Sequence, residues 1–392
     1  MDTKMDSAEA EEKVDEGLEL AYLLFCLRHP EQPAFDIPAI KEQVLEILTT
    51  RAASVFYSKF CEEFDWMVDE NKLQEMKSKN EEESKQLEER IVDAEANLGD
   101  SEVRDALLAK AEYLVRIGDK EKAIAAFKLT EEKTVAVGQK MDLKFTLLRL
   151  GYFHSDLTMV KRDLDETKKM FEEGGDWERK NRLKVYEGLY FMATREFKKA
   201  ALLFLDSIAT FTTYELFPYN TFIFYAVITS ITSLDRVTLR SKVVDAPEIL
   251  TVIEQVPSLS DFLNCLYNCD YLGFFKAFVN IADKVSTDVY LYPHYRYFMR
   301  QVRIVAYSQF LESYKSVTAE SMALAFGVTP EFLDTELSSF ISGGYLNCKI
   351  DKVKGIIQTN RPDAKNALYQ ETIKQGDLLL NRIQKLSKVI DL

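Results

Sequence analysis

Chemistry at a catalytic centre would have to start from the histidines, and His29, His154 and His294 are all that this chain has. They stand far apart, with no cysteine at ligand spacing. Zinc-assisted hydrolysis needs paired histidines and an acid from a short motif such as HExxH or HxH, and neither string occurs. The cysteines Cys26, Cys61, Cys265, Cys269 and Cys348 are scattered, mostly inside apolar strings such as FCL and NCLYNC. Cys265 and Cys269 are four apart, which puts them on one helix face and reads as core packing. No GxGxxG, Gly-Lys dipeptide or GxSxG is present to cradle phosphate or to present a serine nucleophile. No enzyme, cofactor or metal is therefore expected, and no residue is a candidate for catalysis.

Recognition chemistry is better represented. Arg179, Lys180, Arg182 and Lys184 follow Gly174-Gly175-Asp176-Trp177 at a helix start, where cations oppose the helix dipole. The cluster reads either as a solvated face capped by Asp176 or as a surface for an acidic partner. Tyr290, Tyr292, His294, Tyr295, Tyr297 and Phe298 alternate with Arg296, Arg300 and Arg303, a mixture able to stack bases. Helical spacing instead gathers Tyr295, Phe298, Met299 and Val302 into a buried stripe and turns the arginines toward an acidic neighbour. Near the end of the chain Tyr369, Ile373, Gly376, Leu379, Leu380, Ile383, Leu386, Val389 and Ile390 recur every three or four residues. That stripe comes after the preceding domain has closed, so it predicts a partner helix. Tyr369, Ile373, Leu379, Leu380, Ile383, Leu386 and Ile390 are the candidate contact residues; folding back onto the chain's own preceding domain is the alternative.

The elements that must carry these surfaces are helices. Residues 1–16 hold seven acids and two lysines and read as a solvated tail. A first helix is expected from Gly17, an interruption at Pro30, Pro33 and Pro38, and a second helix over about 40–51. Leu73, Met76, Asn80, Ser84, Leu87, Ile91, Ala94 and Leu98 define one long helix over 70–98, whose seam is broken in the middle by Asn80 and Ser84. It is expected to dock on neighbours rather than form a free coiled coil.

From Ser101, taken as a cap, helix, turn and helix follow, with Ala111, Leu114, Ala123 and Phe127 packed across a turn at Gly118. Gly188, Phe191, Ala200 and Phe204 repeat that spacing. A degenerate copy over 142–173 is expected between them with Gly151 at the close-contact position, giving intervals of 40 and then 37 residues. This pattern resembles the tetratricopeptide repeat. Apolar helices punctuated by Pro218, Pro247, Pro257 and Pro293 continue to residue 300.

Arg303 to Tyr314 reads as a helix, Thr318 caps another that ends at Gly327, and Thr329-Pro330 opens a third that stops at Gly343-Gly344. A strand pair follows, alternating at Leu346, Cys348 and Ile350, turning at Asp351-Lys352 and returning through Val353, Ile356 and Ile357. Three helices and a hairpin make a winged helix. Its third helix presents Glu331, Asp334 and Glu336 and no base, which is the wrong sign for phosphate. The whole chain, 392 residues at a formal charge of −14, repels nucleic acid in the same way. With 47% hydrophobic residues it can bury a large core, and no run is apolar enough to cross a bilayer.

The fold class expected is all-α dominated: an α-solenoid of tetratricopeptide-like repeats, a winged helix and a C-terminal helix. The segments are a tail (1–16), N-terminal helices (17–100), repeats (101–300), winged helix (301–362) and terminal helix (363–392). Repeats running into a winged helix resemble the PCI family, scaffolds of the proteasome lid, the signalosome and a translation initiation complex. Strings such as EGGDWERKNRLKVYEGLY (173–190), PHYRYFMRQVRI (293–304), CKIDKV (348–353), TNRPD (359–363) and GDLLLNRIQKLSKVI (376–390) resemble most closely a subunit of the lid. The resemblance implies a scaffold for ubiquitin-dependent proteolysis in cytoplasm and nucleus. Its implied partners are other PCI subunits of the lid, met through the winged-helix edge and a bundle of C-terminal helices. Base ATPases or the core particle are implied for the N-terminal repeats, and neither nucleic acid nor membrane is a partner. The alternatives are the paralogous first subunit of the signalosome and, from another class, an RNA-binding translation scaffold.

Overall fold

The computed structural model describes residues 13–174, 176–360 and 364–390. Helix α1 (Glu16–Arg28) begins where the Asp15 side chain accepts a hydrogen bond from Gly17 N at 2.8 Å. This corrects the inner end of the expected tail. Asp15 N donates to Glu215 O at 2.8 Å and its carboxylate meets Arg149 at 2.8 Å, so the segment is held; residues 1–12 lie outside the described residues. Helix α2 (Ile37–Thr50) starts earlier than expected because Pro38 sits in its first turn, where no N–H is needed. No local pattern announces α3 (Ser54–Glu63), which follows a turn with Ala52 at φ 50°.

Helix α4 (Glu70–Asn97) is the long helix expected. Its polar interruption has a structural cause: buried Asn80 donates through Nδ2 to Ala52 O at 2.9 Å and to Ser54 Oγ at 2.8 Å. The seam is broken because it binds the start of α3, so α4 docks on neighbours.

Three helix pairs follow: α5 (Asp100–Ile117) with α6 (Lys120–Lys133), α7 (Val137–Phe153) with α8 (Leu157–Glu173), and α9 (Trp177–Ala193) with α10 (Phe197–Ser207). Gly99, rather than Ser101, stands at the cap of α5; Ser101 lies inside the first turn. The inner turns show a second correction. Gly118, Ser155 and Arg195 occupy the same left-handed position (φ 98°, 54° and 69°), so the copies are 37 and then 40 residues apart, the reverse of the expected order. Leu148, Gly151, Val160 and Leu164 of the middle copy then match Ala111, Leu114, Ala123 and Phe127. The sizes are exchanged across the contact. Val160 fills the place of an alanine, and Gly151 makes room for it, since a Cβ there would come within 2.7 Å of Val160 Cγ2. Gly188 does the same for the buried Phe204 ring, at 2.5 Å.

Helix α11 (Tyr219–Ser233) is buried along most of its length. Helix α12 (Arg236–Leu239) runs into a π-helical turn over Arg240–Val244, and α13 (Pro247–Ile253), α14 (Leu259–Asn268), α15 (Tyr271–Ser286) and α16 (Tyr295–Ser313) complete the helical run. Pro218, Pro247 and Pro293 all fall at helix starts or in the short turn before α16, where they cost no ladder bond.

Two compact units result, one made of the chain up to Tyr267 with Ala277–Met299, the other of Asn268–Lys276 with Arg300 onward. In the second, β1 (Ser316–Thr318) leads to α17 (Ala319–Phe326) and α18 (Pro330–Ser342), capped by the Thr318 and Thr329 side chains. Strands β2 (Cys348–Asp351) and β3 (Ile356–Thr359) form the hairpin. All pairing is antiparallel in the order β1-β3-β2, and buried Ile357 of the central strand faces Val317 and Ile350. Val353 is not in the return strand. It lies 96% exposed in a turn closed by Asp351 Oδ1, which accepts from Val353 N and Lys354 N. Helix α19 (Ala364–Ile390) ends the described chain, and the expected linker at Arg361-Pro362 lies outside the described residues.

Candidate interaction surfaces

The apolar stripe of α19 is bare. Every side chain described from Lys365 to Ile390 is exposed. Tyr369, Ile373, Leu379, Leu380, Ile383, Leu386 and Ile390 are between 54% and 72% exposed, and Leu368, Leu378 and Val389 extend the strip. Sequence periodicity overlooked Leu368 and Leu378, which lie beside the strict three-and-four rhythm and widen the face. The helix carries five bases against two acids in a chain whose overall charge is −14. It offers a greasy strip with cationic flanks.

In the winged helix the acidic third helix, α18, is partly spent inside the fold. Glu336 meets Arg303 of α16 at 3.1 Å and accepts a hydrogen bond from Tyr307 OH at 2.9 Å. Burial, and then the Glu336 charge, push the Tyr307 phenol well above its ordinary range. Asp334 pairs with Lys352 at 2.9 Å. Phe298 and Val302 are fully buried on the stripe of α16, and Arg300 stacks on Tyr345, so this aromatic-arginine string is frame rather than a stacking platform for bases. The outer strands β1 and β2 leave short edges, of three and four residues.

The basic cluster is drawn inward. Arg179 holds Asp142 through two hydrogen bonds of 3.0 and 2.8 Å, which raise its pKa. Arg182 donates to both Glu215 oxygens at 2.8 and 2.7 Å and lies over the Phe145 ring. Lys184 reaches Asp206 at 3.9 Å, and Lys180 alone of the four is exposed. Asp176 stands at the cap of α9 without a capping side-chain bond, 3.7 Å from Arg179. What sequence reasoning missed is the network these bases join, with Arg149, Tyr186 and Asp15. Its members come from distant segments and no local motif marks them.

The histidines serve packing. His294 Nε2 lies 2.7 Å from Ala193 O while Nδ1 accepts from Arg195 Nε at 3.3 Å, and His29 lies 2.9 Å from Phe25 O. Among the described residues no group of three His, Cys, Asp or Glu side chains is placed to hold a metal ion, and no helix is long and apolar enough to cross a membrane.

The family described as 26S proteasome subunit RPN7 matches residues 69–242, the PCI domain 276–361, and the C-terminal helix of the 26S proteasome regulatory subunit RPN7/PSMD6 369–390. A 26S proteasome non-ATPase regulatory subunit 6 homolog from Arabidopsis thaliana is 62% identical over 373 residues, 95% of this chain and 96% of that protein. The chain belongs to the RPN7 family of 26S proteasome subunits. Another member, 26S proteasome non-ATPase regulatory subunit 6 from Oryza sativa, is 59% identical across 99% of this chain and 100% of its own length. The regulatory subunit RPN7 of Saccharomyces cerevisiae is 38% identical over 90% of this chain and 88% of its own. In this RPN7-family chain the third match runs from Tyr369 to Ile390 and takes in all seven candidate contact residues.

Proposed function

We propose that this RPN7-family chain is a non-catalytic scaffold of the proteasome regulatory-particle lid, supporting lid assembly and so ubiquitin-dependent protein degradation in cytoplasm and nucleus. The observation that carries the reading is the uncovered strip of α19. Fully burying one Leu or Ile side chain contributes about 1.5–3 kcal/mol, and a helix this apolar gains that only from a partner. The seven contact residues from Tyr369 to Ile390 meet the equivalent helices of other PCI subunits, and the edges of β1 and β2 meet neighbouring winged helices. The N-terminal repeats are assigned to contacts with the base ATPases or the core particle. Of the basic cluster, Lys180 is the member with a charge left for a partner, because Arg179, Arg182 and Lys184 are engaged within the chain.

Native mass spectrometry of complexes purified on the tagged chain tests this. Co-purifying proteasomal ATPases and proteolytic subunits support it. A complex of cullin-directed factors without them would instead make the chain the first subunit of the signalosome.

A further inference from the structure

Helix α19 has more apolar surface than one neighbour can cover. At about 100° per residue, the seven contact residues and Leu368 already span an arc of about 140°, wider than the seam that serves a single helix partner. Leu378 and Val389 carry the surface about 60–80° further round. There they fall into line with Lys374, Arg382 and Lys385, at intervals of four, four, three and four residues from Lys374 to Val389.

This line is not the solvent side of the helix. Gln370, Asn381 and Gln384 occupy a separate polar arc, and Lys388 stands with them in the last turn, where the helix dipole favours a cation. The line itself places Leu378, 61% exposed, and Val389, 69% exposed, among three bases. Among the described residues no ion pair engages Lys374, Arg382 or Lys385. Glu371, the acid one turn before Lys374, accepts from Gln375 Nε2 at 3.4 Å instead. Arg382 and Lys385 repel each other across one turn. In a chain of formal charge −14, three unpaired bases lined up with two bare aliphatic side chains form a recognition surface for negative charge.

Building on the reading of α19 as a docked helix, we propose that this further side, made by Lys374, Leu378, Arg382, Lys385 and Val389, binds an acidic helix of a partner subunit. The line runs about 22 Å along the helix axis, or four turns. A surface of that length with helical intervals fits a second helix lying alongside. Carboxylates of the partner stand opposite the three bases, whose aliphatic stems pack over Leu378 and Val389 as the charges reach across. Helix α19 is thereby enclosed on three sides, as an inner member of its bundle.

Carbodiimide coupling in the complex purified on the tagged chain tests this, because it joins an ammonium directly to a carboxylate in contact with it. Lys374 and Lys385 should couple to Asp or Glu of another subunit, and mass spectrometry of the linked peptides identifies the partner helix. Two full-length variants then carry the same change in net charge. Lys374→Gln with Arg382→Gln and Lys385→Gln takes three positive charges from the line, and Gln370→Glu with Asn381→Glu and Gln384→Glu adds three negative charges to the polar arc. An ion pair at a partly exposed site is worth about a factor of two to five, so the first variant should be retained in the complex about tenfold less on a salt gradient. The second should match the parent chain. Coupling of these lysines to no other subunit, or equal retention of the two variants, overturns the proposal. Aspartate at Leu379, Ile383 and Leu386 reports on the strip separately: only normal incorporation of that variant removes the docked-helix reading itself.

Discussion

Gly188→Ala puts the packing of the repeats to a quantitative test. In the interior of α9 the added methyl should help, since alanine is favoured over glycine in a helix by about 1 kcal/mol. Its position decides otherwise. The new Cβ would lie 2.5, 2.8 and 3.2 Å from three atoms of the Phe204 ring. That ring is fully buried and set edge-on against Phe222 at 5.5 Å, so it has nowhere to retreat. Overpacking of this kind costs about 1–3 kcal/mol, and contacts this short against a rigid ring belong at the upper end. The net expectation is a loss of about 2 kcal/mol after the helix gain is subtracted. Urea unfolding of the full chain followed by circular dichroism should show an earlier transition, and Phe204→Leu in the same chain should recover most of it. The matched control is Gly376→Ala in α19, where no atom lies within 4 Å and only the helix gain remains. A Gly188→Ala chain as stable as the parent would refute the close-contact reasoning.

Asn80→Leu should destabilise by about 1–3 kcal/mol, because it strands Ala52 O and Ser54 Oγ; a rise in the urea midpoint would show that Asn80 is merely a polar layer in a helical seam. His154 gives a pH signature. Burial, with Lys120 and Lys59 nearby, lowers its pKa from 6.5 to about 4, so on acidification the unfolded chain takes up the proton first. The stability present above pH 6.5 is then lost between 6.5 and about 4, by about 2 kcal/mol after allowance for partial exposure. His154→Leu should flatten that part of the stability profile, and an identical fall in parent and variant would contradict the assignment. Glu336→Gln leaves Tyr307 an acceptor but removes the charge facing Arg303, and thermal unfolding should report a loss of about 1–3 kcal/mol.

Local signals in the sequence carried much of this structure. Thr318 and Thr329 stand just before apolar helical runs and do cap them, and the Gly188–Phe204 pair is legible because a small residue must face a large one sixteen positions on. The terminal stripe is equally plain, since nothing but its own period defines it. What escaped depends on distant partners or on missing markers. Strand β1 has three residues, too few to alternate, and α3 follows an alanine in a left-handed turn that no glycine advertises. The register of the middle repeat is hidden for the same reason: Ser155, not glycine, makes its turn, while Gly151 imitates the close-contact position of the other copies. Arg179 and Arg182 look like a free basic surface until the fold brings Asp142 and Glu215 to them from neighbouring segments. Asp15 belongs to the same class, an acid in an acidic stretch whose partner lies more than a hundred residues away.

The proposed scaffold role depends on α19 meeting a foreign surface. The most direct measurement replaces Leu379, Ile383 and Leu386 together by aspartate and follows incorporation of the tagged chain into the proteasome by native gel and mass spectrometry. Each of these side chains is more than half exposed in the lone chain, so folding should be unchanged by circular dichroism. In a docked strip each would bury an unpaired charge, and assembly should fail. Incorporation at the parent level, or loss of fold before assembly, would contradict the assignment of this helix.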